Sequence, residues 1–149
     1  MKLSRCMAFL FLFAAGNALA QTEAQDEVRL MFDRYIKAEN EHNLAAVGQA
    51  LQDSAEMLWV APRSIPVWGR DNVMMELTKR YQGAWKLEPE MAALKLTVYG
   101  DTSARLVVPV YYTSGPSASR ERYLLQQTYV KTPIGWRIAA MIPAPLPTP

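Results

Sequence analysis

The second half of this chain limits its fold most. From Lys86 to Ile142 four segments, 86–99, 103–113, 119–131 and 135–142, are rich in Val, Ile, Leu, Thr and Tyr. Short turn signals part them: Gly100-Asp101, Ser114-Gly115-Pro116-Ser117 and Pro133-Ile134-Gly135. Long strands joined by tight turns make an antiparallel meander. Its greasy face needs a cover, and the first half supplies one. Val28, Met31, Phe32, Tyr35 and Ile36 recur at helical spacing between Asp26 and about Glu41. Asn40–Asn43 breaks that helix, Leu44–Leu51 forms a second, and Asp71 caps a third that runs to about Gln82 before Gly83. A short strand, 55–61, lies between the second and third helices. The fold class expected is therefore α+β, with three N-terminal helices packed on one antiparallel sheet. Pro89 and Pro109 are expected at edges or bulges, and Pro143–Pro149 as an extended tail outside the sheet.

Charge bears on function only after the N-terminus is read. Lys2 and Arg5 precede an unbroken apolar run, Cys6–Ala15, and Ala18-Leu19-Ala20 offers small residues before a cut. This is the pattern of a secretory signal peptide over residues 1–20. The run is too short to span a bilayer, which takes roughly 20 residues, so no membrane insertion is expected after cleavage. Removing Lys2 and Arg5 brings the 16 basic side chains level with the 14 acidic ones. A neutral chain without a basic run has no footprint for nucleic acid. Cys6 leaves too, so the exported protein, periplasmic or secreted, has neither disulfide nor thiol nucleophile. The single His42 cannot build a His-based metal site. No Gly-rich phosphate loop, dinucleotide motif or G-x-S-x-G elbow occurs, and no cofactor is expected. Residues 21–142 make one domain.

The order of elements resembles the nuclear transport factor 2-like superfamily, in its SnoaL-like and ketosteroid isomerase-like branches. The matching residues are Arg34-Tyr35-Ile36-Lys37-Ala38, His42-Asn43-Leu44, Trp68-Gly69-Arg70-Asp71, Tyr99-Gly100-Asp101 and Gly135-Trp136-Arg137-Ile138. The resemblance covers about Asp26 to Met141. It implies a strongly curved, cone-shaped sheet with a pocket between sheet and helices, and a homodimer formed through the outer sheet faces. Steroid isomerases of this fold use a tyrosine and a protonated acid as oxyanion donors and an aspartate as base. Laid on that pattern, the tyrosine falls at Tyr35, the second donor at Gln127 and the base at Trp59. An indole cannot take a proton, so steroid isomerisation is not expected. A pocket that binds a small apolar or aromatic molecule is, with Tyr35, Trp59, Arg63, Trp68, Tyr123 and Gln127 as contacts. The alternative is a SnoaL-like isomerase, cyclase or hydratase whose base is Glu56 or His42. A third is a homodimeric interaction module.

Overall fold

In the computed structural model the backbone is described for residues 7–115 and 119–147, and side chains from Gln21 onward within those ranges. Met1–Cys6, with the two signal-peptide cations, and Pro116–Ser117 of the predicted turn lie outside the described residues. Helix α1 spans Met7–Asn40 without a break, so the helix begins well before Asp26. None of the described helices is long and apolar enough to cross a membrane. Two short helices follow, α2 (Leu44–Ala50) and α3 (Arg70–Arg80). The strands are β1 (Leu58–Trp59), β2 (Val67–Trp68), β3 (Trp85–Pro89), β4 (Lys95–Tyr99), β5 (Ser103–Ser114), β6 (Ser119–Thr132) and β7 (Gly135–Pro145).

Asn43 leaves the helical region and its side chain accepts from the Ala46 N–H at 3.1 Å, which starts α2. The cap of α3 departs from expectation. Gly69, at φ 83°, takes that position, and Asp71 sits inside the first turn. There its carboxylate complements the positive end of the helix. On this helix Val73 and Leu77 are buried, whereas Met75 is 58% exposed.

The strands form one open sheet in the order β2-β1-β7-β6-β5-β3, with β4 also on β5. The predicted segment 86–99 is therefore two strands, split by the short helical turn Met91–Ala93. Pro109 lies where β5 changes partner from β4 to β3. Its carbonyl accepts from the Glu90 N–H, and its missing N–H would face that same gap. The sheet is mixed, not antiparallel throughout, because β1 runs parallel to β7. Parallel pairing needs a long crossover, here the whole chain between them.

The predicted tail is also partly strand. Pro143 and Pro145 pair with Leu125 and Tyr123. The Leu146 N–H bonds to the Arg122 carbonyl, while the Met141 carbonyl accepts from Val60 on the opposite side. From Met141 onward, odd positions of β7 thus aim their backbone away from β6, toward the side that β1 leaves open beyond Val60. A proline at those places gives up no ladder bond.

Curvature comes from an irregularity. Tyr129 pairs with Ile138 and Thr128 with Ala140, so Ala139 is an extra residue in β7. Trp136 and Ile138 point inward before it and Met141 after it. The sheet wraps far enough that α1 touches β3 and β4 at one side and β7 at the other.

Candidate functional site

The inward alternation of β6 buries Tyr123, Leu125, Gln127 and Tyr129, and Trp59 is buried on β1. Between these strands, the inner face of α1 and the end of α3 lies a cavity. Its volume is about 60 Å³, below the usual range for small-ligand sites. Trp59, Trp85, Tyr112 and Tyr123 supply aromatic walls, Leu77, Leu87, Val110 and Leu125 aliphatic ones, and Tyr35, Glu39 and Arg80 the polar groups.

Glu39 follows from the same spacing that built α1. The stripe Val28, Phe32, Tyr35 steps by four and three residues, and the next step lands on Glu39. It is 3% exposed, one turn beyond Tyr35. Its Oε1 accepts from the Tyr35 hydroxyl at 2.5 Å and its Oε2 from the Tyr81 hydroxyl at 2.8 Å. Burial pushes the carboxyl above its ordinary value, against the two hydroxyls, Arg80 and His42, which favour the charged form. Burial and the neighbouring carboxylate likewise push Tyr35 well above the ordinary phenol range.

The Tyr35 oxygen also lies 3.1 Å from the Met141 sulfur, and the Gln127 amide nitrogen lies 3.5 Å from the same atom. The two groups predicted to flank a ligand oxygen thus converge on a thioether. A phenol has one hydrogen. Glu39, the nearer acceptor at 2.5 Å against 3.1 Å, takes it. Gln127, fully buried, accepts from the Tyr129 hydroxyl at 2.6 Å and lies behind Met141, outside the cavity lining.

The other predicted residues divide. Tyr35, Trp59 and Tyr123 line the cavity. Arg63, with a left-handed φ of 58° and an exposed side chain, stands outside the lining and pairs with Glu121 at 2.6 Å. Glu121 in turn accepts the Tyr123 hydroxyl, whose pKa burial and that carboxylate push up to about 12. Trp68 turns away. Val67 stands opposite Trp59 and shares its inward face, so Trp68, opposite Leu58, is on the other face and 53% exposed.

Neither predicted base reaches the cavity. Glu56 is in a turn before β1 begins, exposed, with its N–H on the Ser54 hydroxyl. His42 closes α1 at φ 52° and stacks on Trp85 and Tyr81 at 4.6 and 5.2 Å, behind the wall and not in it. Among the described residues no three His, Cys, Asp or Glu converge as metal ligands.

Arg80 closes the remaining side. Its guanidinium carbon stands 5.4 Å from the Trp59 ring and 5.8 Å from that of Tyr112, and one N–H donates to the Tyr112 hydroxyl at 3.1 Å. β1 and β5 are three strand spacings apart, about 14 Å if flat. One side chain reaches both because the sheet is bent around it.

No protein-family model matches the sequence, and no curated protein matches it significantly. Solved structures do match. A nuclear transport factor 2-like superfamily protein of Salmonella enterica serovar Typhimurium superposes with a TM-score of 0.75 at 18% identity, over 85% of this chain and 94% of that one. A protein of Novosphingobium aromaticivorans, with a cystatin-like fold of the same kind, gives 0.73 at 17% identity over 93% and 92%. One of unknown function from Pseudomonas putida gives 0.72 at 14% over 83% and 87%. With its three helices on an open, bent, mixed sheet, this chain has the nuclear transport factor 2-like fold.

Proposed function

We propose that this protein is exported and binds a small apolar or aromatic molecule in the cavity, without steroid-isomerase chemistry. The observation that carries the reading is the Met141 sulfur, set where Tyr35 and Gln127 converge. A substrate oxygen would have to displace it to be polarised there, while the aromatic walls above remain open to an apolar body. The processed chain should show ligand-dependent melting. A shift of several degrees with a hydrophobic aromatic compound at a hundredfold excess over its dissociation constant is expected, since such binding adds about 2.7 kcal/mol. No shift across a broad set of such compounds would sink the proposal.

One observation favours a second reading. Glu39 is a buried carboxyl with a raised pKa, beside Tyr35 in a cavity, which is a pattern of acid–base catalysts. The Glu39→Gln variant separates the two. Binding with no turnover in either form belongs to a pocket protein; turnover in the wild type, lost in the variant, belongs to an enzyme. We also propose pairing of two copies through the outer sheet face, where Ile142 is 38% exposed beside half-buried Leu124 and Tyr111. A monomer in sedimentation at high concentration would count against it.

A further inference from the structure

The cavity has a surplus of donors. Arg80 lies within 4.0 Å of no carboxylate among the described residues, and its one polar contact is the Tyr112 oxygen. That bond uses the Tyr112 hydroxyl as acceptor, so its own hydrogen is free to donate. Trp85, in the same wall, has a buried indole N–H that meets no acceptor. Buried polar groups of native proteins are nearly always satisfied, and an orphan asks for a partner. The one acidic group of the lining does not supply it: the Glu39 oxygens accept from the Tyr35 and Tyr81 hydroxyls, and neither Arg80 nor the Trp85 indole is bonded to them.

Guanidinium, phenol and indole donors therefore share one aromatic-walled space, whose other polar side chains, Tyr35 and Glu39, bond to each other. Building on the pocket reading above, we infer that the ligand is a monocarboxylate with an apolar or aromatic body, its carboxylate held by Arg80 and its body between the rings. A guanidinium suits this work because it is always charged and its fork matches two carboxylate oxygens. Screening is weak in a partly enclosed site, so the charge counts for more than it would on the surface. Held between the Trp59 and Tyr112 rings, the fork is already ordered before a ligand arrives, which limits the entropic cost of binding. An amide of the same shape brings one acceptor in place of two, no charge, and an extra donor into a region that lacks acceptors.

Calorimetric titration of the processed chain with benzoate and 2-naphthoate, each beside its primary amide, tests this. At least one acid is expected to bind ten times more tightly than its amide, or better. Arg80→Met, which keeps the apolar stem, is expected to bring the acid down to the affinity of the amide and leave the amide within about twofold. Arg80→Lys, which keeps the charge and loses the fork, should fall between. Tyr112→Phe gives a check on a second donor, with a loss of a few fold for the acid alone. Equal binding of acid and amide, or an acid indifferent to Arg80→Met, overturns the inference and leaves the pocket reading standing. Failure of all four compounds to bind a folded wild-type protein overturns both.

Discussion

Replacing Glu39 by alanine is expected to lower the unfolding free energy by about 3 kcal/mol, the larger part from two hydroxyls left without an acceptor. Each buried donor orphaned in this way costs about 1–3 kcal/mol; Tyr35 is 2% exposed and should meet the full cost, while half-buried Tyr81 can turn to water and meets less. Urea unfolding at constant slope would show it as a lower midpoint. Glu39→Gln keeps an acceptor and should cost far less. The pH dependence distinguishes the two forms further. Burial raises the folded-state pKa of Glu39 above the ordinary 4.5, so the folded protein holds this proton more tightly than the unfolded chain. The stability it contributes is complete below 4.5 and is lost as pH rises through the folded value. Wild type should therefore lose ground to Glu39→Gln as pH is raised from 4.5. A difference that does not change with pH would contradict the assignment. Glu27 and Glu90, whose pKa values are lowered by the side-chain hydrogen bonds of Lys131 and Arg122 respectively, slope the other way but are common to both proteins and cancel.

Met141→Ala should be comparably severe and more informative about the cavity. Truncating a buried methionine costs about 2–5 kcal/mol through lost contacts and the void left behind; Met141 is 5% exposed. The void would join the cavity at its base and uncover the Tyr35 hydroxyl and the Gln127 amide together. A small ketone such as acetophenone should then raise the melting temperature of the variant more than that of the wild type. Equal responses would mean that the sulfur does not separate these donors from the ligand space.

Much of the interior was legible because strand alternation is insensitive to small errors of boundary. Tyr123, Leu125, Gln127 and Tyr129 are inward as a set, and Trp59 is inward although β1 has only two residues in the ladder. Parity sets Gln127 on the inward face and leaves its depth open, since it tells direction and not what stands in front. Glu39 was missed because an acidic residue at the end of an amphipathic helix resembles its solvated side. The helical step from Val28 through Phe32 and Tyr35 points to it, yet its two tyrosine partners come from different elements. Residue type points to Asp71 as the cap of α3, whereas Gly69 takes the place through its backbone. The prolines of the tail were read by composition; their alternate spacing, 143 and 145, is what an edge strand tolerates.

The extra residue Ala139 carries a consequence for how pockets of this kind change over time. The bulge absorbs one residue of length, so that beyond it Met141 stays opposite Gln127 and Pro143 opposite Leu125. Substitutions alter a cavity wall one side chain at a time, whereas loss of a single codon here would leave one alanine between Ile138 and Met141, opposite Thr128, and keep every inward side chain inward. What would go is the bend: the lining would keep its residues while the sheet straightened between the strands that Arg80 now bridges. Cavity width in such a fold is thus open to revision by insertion and deletion, and two chains with the same lining residues need not share a ligand.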